Sequence, residues 1–173
     1  MKVKRVVFCG LFAALCFVGT WAHIPINISG SPTMVHLGTT VIFLTAVIIG
    51  KDAAFAGGIG CALFDMTNPA YIAWVLPTLI IKGLTGYTAG RIAFARGKEG
   101  RSMLQNVIGF IAAGIVSLLG YFLVNWFIFV GFKVAVVSMI SSLITTGIGI
   151  AITIPLVAVI KPILVKSGVN LSE

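Results

Sequence analysis

A lysine stands inside an apolar run, PTLIIKGLTGY at residues 77–87. A charge at the centre of a membrane helix costs roughly 2.5–3.5 kcal/mol on insertion scales, so Lys82 must be compensated or put to use. Its neighbours point to a use. Trp74, Thr78, Lys82 and Thr85 recur at i, i+4, i+8 and i+11, which puts them on one helical face. Ser117, Tyr121 and Asn125 repeat that spacing, as do Ser138, Ser142, Thr145 and Gly149, while His36, Thr39 and Thr40 gather in a further run. These hydroxyls, an amide, an imidazole and an ammonium can hydrogen-bond a small polar solute. Paired acids or a nucleophile–base pair at one depth, which a membrane enzyme would need, are missing.

Plainer readings compete. Serine and threonine in membrane helices often bond their own backbone or bridge helices. Lys82 could form a structural ion pair with Asp65, and His23 and His36 could serve the loop between them. Cys9, Cys16 and Cys61 lie in apolar runs without CxxC or Cys/His spacing, so packing is their reading and neither a metal nor a cofactor is expected. There is no GxxxxGK[ST], HExxH or GxSxG, so any transport would draw its energy from a partner.

The elements that must position these groups are membrane helices. Of 173 residues, 59% are hydrophobic and 9% charged, against about 25% charged in a soluble domain. Six apolar segments are expected, at about 6–22, 37–50, 53–65, 71–91, 106–130 and 136–160, forming one all-α membrane domain over 1–173. A full span needs roughly 20 residues, so the second and third segments are short and could cross or re-enter. The N-terminal run has the basic start of a signal peptide but no clear small-x-small site, and reads as a retained first helix.

The net charge of +8 does not indicate nucleic acid, because the basic residues flank apolar runs rather than forming a solvated face. With six crossings, Lys2, Lys4, Arg5, Lys51, Arg91, Arg96, Lys98, Arg101, Lys161 and Lys166 share one side, cytoplasmic by the positive-inside rule, and both termini lie there. Lys133 alone falls outside. The outer loops are then HIPINISGSPTMVH, DMTNPAY and VGFKVAV. The stripes converge below the first of them as a pocket with a cationic floor, and Trp74, Tyr121 and Trp126 are expected as its aromatics. His36 is expected to begin a helix aimed at that pocket. Small residues recur at helix-contact spacing: Gly10 and Ala14, then Ala53 to Gly60, then Gly86 and Gly90.

MVHLGTTVIFLTAVIIGKDAAFAGGIGCALFDM, followed by PTLIIKGLTGYTAGRIA, resembles the substrate-binding S component of energy-coupling factor (ECF) vitamin transporters. The resemblance is densest from Met34 to Arg91. It implies a six-helix, multi-pass protein of a bacterial plasma membrane that captures one vitamin from outside. It implies partners as well: a transmembrane coupling protein and two ATP-binding subunits, with delivery by toppling in the bilayer. Gly10 and Ala14 match the small-xxx-small docking pattern of the first helix. The substrate site would comprise His36, Thr39, Trp74, Thr78, Lys82, Tyr121, Asn125, Ser138, Ser142 and Thr145. Hydroxymethylpyrimidine or a pyridoxine-type vitamin is the favoured substrate, with pantothenate and riboflavin as alternatives. A membrane enzyme and a structural or assembly protein of the membrane are the rivals from another class.

Overall fold

The computed structural model describes residues 3–28 and 31–166. Lys2 and the residues that would turn the first outer loop, 29–30, lie outside that range. Six α-helices follow in order: α1 (Val3–Trp21), α2 (Gly38–Ile49), α3 (Ala53–Thr67), α4 (Val75–Ala93), α5 (Met103–Val124) and α6 (Gly131–Lys166). Among the described residues, five stretches are long and apolar enough to cross a membrane, with Gly38–Thr67 counting as one. That stretch is bent. Gly50 at φ +66° opens a 3₁₀ turn over Gly50–Asp52, a conformation glycine adopts without steric cost.

Side-chain proximity shows how the helices run. Lys82 meets Thr39 and Gly90 packs on Gly50, so α2 runs parallel to α4. Gly86 packs on the Ala53 carbonyl, and a Cβ on Gly58 would lie 2.7 Å from the Leu79 carbonyl, so α3 runs antiparallel to α4. Thus α2 and α3 double back as a helical pair, and the small residues are there to let backbones meet. Arg5 forms an ion pair with Asp52 that ties the start of α1 to that turn. The buried stripe of α1, Cys9, Phe12, Cys16 and Thr20, faces α2 and α3. Lys161 donates to the Val47 carbonyl at 2.8 Å and Thr153 to Thr40 at 3.2 Å, aligning α6 with α2.

The first outer loop is a β-hairpin rather than an irregular turn-rich segment. Strand β1 (His23–Ile28) pairs antiparallel with β2 (Ser31–His36), His23 opposite His36 and Asn27 opposite Pro32. In a two-stranded ribbon both strands are edges, so Pro25 and Pro32 are tolerated. The other two loops are shorter than expected. Asp65 to Thr67 belong to α3, and Gly131 already begins α6. Asn68 closes the α3 end by accepting from the Ala70 N–H at 3.1 Å, and a 3₁₀ turn over Ile72–Trp74 leads into α4. The chain leaves α5 through a π-helical turn, Asn125–Phe129.

An apolar core fills the bundle on the side of the basic loop. Phe43 stacks on Phe110 at 4.8 Å among Val47, Ala89, Ala113 and Val157. Cys9, Cys16 and Cys61 are buried, as their packing role requires. Clefts open at both ends of the bundle: one beside the basic loop, at Gly100, Met103, Val157 and Lys161, and others at the hairpin end, where the polar stripes meet.

Candidate functional site

Two adjoining chambers occupy the hairpin end. The outer one encloses about 460 Å³ with its mouth included and is walled by β2, α3, α4, α5 and α6. The inner one encloses about 210 Å³. His36, Tyr121 and Ser142 line both, so they form one space at two depths.

Lys82 lies on the floor, 3% exposed. Its ammonium donates to Thr39 Oγ1 at 2.9 Å and sits 5.3 Å from the centre of the Tyr121 ring. Among the described residues the ion pairs are Arg5–Asp52 and Arg101–Glu99, so the competing reading of Lys82 as a structural pair with Asp65 is not met. A hydroxyl and an aromatic face hold the cation without neutralising it, leaving two N–H donors.

The hairpin supplies the roof through Pro32, Thr33, Met34 and His36. Three contacts fasten it. Thr33 Oγ1 and Ser141 Oγ share a hydrogen bond of 2.7 Å. Thr145 donates to the Met34 carbonyl and Tyr71 to the Thr33 carbonyl, both at 3.4 Å. His36 does not begin a helix. It ends β2, and its Nδ1 accepts the Gly38 N–H at 3.0 Å, satisfying a donor that the start of α2 would leave unpaired. With Nδ1 an acceptor, the neutral ring carries its proton on Nε2. Burial, then the charge of Lys82, then His23 push its pKa well below the ordinary value, in agreement with a neutral ring.

Aromatic rings form one wall. Trp74 lies 5.7 Å from Tyr121 and 4.5 Å from Phe129, and Tyr71 completes the outer rim. The π turn carries Phe129 back against Trp74 and leaves Asn125 lining the chamber with Oδ1 unpartnered. Trp126 lies outside the site, contrary to expectation, because it follows Asn125 directly and so points about 100° away from the Tyr121–Asn125 face. Trp126 is 38% exposed, stacked on Phe127 and edge-on to Phe132.

Most expected site residues converge. Trp74, Thr78, Tyr121, Asn125, His36 and Ser142 line the outer chamber, and Lys82 and Thr145 the inner. Thr39 lines neither but anchors Lys82. Ser138 is buried with an unpartnered hydroxyl and lines neither chamber. Sequence reasoning found His36 but missed Pro32, Thr33, Met34 and Tyr71, and it treated Asp65 only as a partner for Lys82. Asp65 lines the outer chamber. The TNPAY turn was the available signal, because it brings Asp65 and Tyr71 to one rim. Gly10 and Ala14 lie far from this space, on the exposed face of α1.

A family model described as "ECF-type riboflavin transporter, S component" matches residues 1–162. A protein of Pyrococcus woesei, described as an uncharacterized protein in a gap 3′ region, is 39% identical over 97 residues. That alignment covers 56% of this chain and 62% of the relative.

Proposed function

The chain belongs to the family of S components of ECF-type riboflavin transporters, and we propose that it captures a flat, neutral, water-soluble vitamin, riboflavin foremost, for an ATP-driven coupling module. The observation that carries this reading is the two-level chamber: a ring-lined outer part above a buried lysine that no carboxylate pairs. Small-ligand sites set a few placed polar groups among apolar and aromatic walls, and Lys82, Thr78 and Asn125 stand here beside Trp74 and Tyr121. Trp74 and Tyr121 would stack on a heterocycle, worth about 0.5–1.5 kcal/mol beyond burial. Lys82, with Thr78 and Asn125, would donate to ring carbonyls. Hydroxyls of a polyol tail would meet Ser142, Thr145 and Ser117. The preference for hydroxymethylpyrimidine or pyridoxine gains no support from the family, whose description names riboflavin. Pantothenate is disfavoured by Asp65, which would face its carboxylate in the same chamber.

The membrane arrangement follows from the same reading. Six crossings with both ends cytoplasmic would put Arg5, Lys51, Arg91, Arg96, Lys98, Arg101 and Lys161 at the inner face and the hairpin outside. The doubling back of α2 and α3 supports six rather than five. These two helices are only roughly 18 and 22 Å long at 1.5 Å per residue, and the adjoining hairpin and 3₁₀ turns make up reach at either end. The module it serves would be a transmembrane coupling protein with two ATP-binding subunits, met through the Gly10–Ala14 face.

Titration of the purified chain in detergent tests the substrate. Riboflavin should bind saturably at one site and quench tryptophan emission. Trp74 is the reporter, since Trp21 and Trp126 are 69% and 38% exposed, so Trp74→Phe should keep binding and lose most of the quench. Saturation by hydroxymethylpyrimidine, pyridoxine or pantothenate with no response to riboflavin would overturn the assignment.

A further inference from the structure

Asp65 has no assigned task, yet it is the most anomalous group in the chamber. It lies in the last turn of α3, 1% exposed, and both its oxygens are buried without a hydrogen-bond partner. Thr78 and Lys82 are its polar neighbours: Thr78 is close enough to act on the carboxylate as a donor, though outside full hydrogen-bond geometry, and Lys82 is turned to Thr39. Around the outer chamber, Tyr71 donates to the Thr33 carbonyl and Tyr121 to Thr78 Oγ1 at 3.4 Å. The other donors on the wall, His36, Trp74, Asn125 and Ser142, make no hydrogen bond to the carboxylate. A carboxylate presents about four acceptor positions, and buried polar groups left unpaired are rare in folded proteins. The space these oxygens face is the ligand space.

We propose that Asp65 is the specificity residue of the site: it accepts N–H or O–H donors from a neutral ligand and repels nutrients that carry a carboxylate. Lys82 and Asp65 then act as a donor pole and an acceptor pole on one chamber. A ligand that presents acceptors to the first and donors to the second satisfies both, and an anion satisfies only one. The inference rests on the binding-subunit reading above but not on riboflavin itself. In a flavin the candidate donors are the imide N–H and the hydroxyls of the sugar-alcohol tail.

The test compares wild type with Asp65→Asn, each as the full purified chain, against four ligands. These are riboflavin, 3-methylriboflavin (no imide N–H), lumiflavin (no hydroxyl tail) and pantothenate. Asp65→Asn should weaken riboflavin at least about tenfold, since a charge-assisted hydrogen bond is lost. The analogue lacking the donor that Asp65 receives should bind both proteins nearly alike, giving a non-additive cycle. Asp65→Asn should also unfold no earlier than wild type, because it removes an unpaired buried carboxylate; a purely structural role predicts the reverse. Equal riboflavin affinity in the two proteins, equal weakening of all three flavins, or tight pantothenate binding by wild type would overturn the proposal. If wild type ignores flavins but binds neutral pyridoxine, and Asp65→Asn weakens that binding, the riboflavin reading fails while the role of Asp65 stands. Wild type that binds no nutrient at all overturns both.

Discussion

At the scale of single residues the decisive group is Lys82, because its environment holds a cation without cancelling it. Thr39 and the Tyr121 ring orient the ammonium, and the nearest acid is not bonded to it. Lys82→Met keeps the length of the stem and removes the donor. We expect a folded protein whose affinity for its vitamin falls roughly 10- to 100-fold, the worth of a charge-assisted hydrogen bond. Calorimetric titration together with a thermal melt checks this: unchanged affinity would remove Lys82 from the site, and loss of the fold would make it structural. Helical spacing made this residue legible, since an isolated charge in an apolar helix must face the interior. It also found Thr78, Tyr121 and Ser142. It gave no support to Trp126, which follows Asn125 and so lies about 100° off that face, and it missed Asp65, whose place at a helix end made it look like a loop residue.

At the scale of elements, the hairpin is what makes a chamber of a cleft. Its strand β2 covers the polar stripes and is held to α6 by Thr33–Ser141 and Met34–Thr145. The sequence marked this segment by its prolines and its asparagine, serine and glycine residues, which identify non-helical backbone but do not distinguish a loop from a ribbon of two edge strands. The helices were more readable, because a long apolar run in a membrane has almost no alternative to α-helix. Their limits moved wherever a short 3₁₀ or π turn extended them, as at Ile72–Trp74 and Asn125–Phe129. If the roof must loosen for the vitamin to leave, Ser141→Ala should speed release roughly three- to tenfold through loss of one hydrogen bond. Stopped-flow displacement checks it, and the association rate should change less. An unaltered release rate would mean that the Thr33–Ser141 contact opens after the ligand has gone, or plays no part in closure.

At the scale of the whole molecule the two faces of α1 divide the labour. Cys9, Phe12, Cys16 and Thr20 bind the helix to its own bundle. Val3, Val7, Gly10, Ala14, Val18 and Trp21 form the opposite, exposed stripe. A Cβ on Gly10 would meet nothing within 4 Å, in contrast to Gly58, Gly86 and Gly90, whose missing side chains admit a neighbouring backbone. Close packing inside the bundle therefore explains the glycines of α3 and α4 and leaves Gly10 unexplained by anything within the chain. A small residue on an open membrane face suits close approach by a second helix, which fits docking to a coupling protein. Gly10→Leu and Ala14→Leu should accordingly fold normally and bind the vitamin with unchanged affinity, because neither touches the chamber. In vesicles or cells that also contain the coupling module, both should abolish ATP-dependent uptake, and the module should no longer co-purify with the variant. Normal uptake in both variants would move the docking surface off α1. Loss of binding in the isolated variants would instead mean that this face is coupled to the chamber through the α1 contacts with α2 and α3, and the separation of capture from delivery would fail.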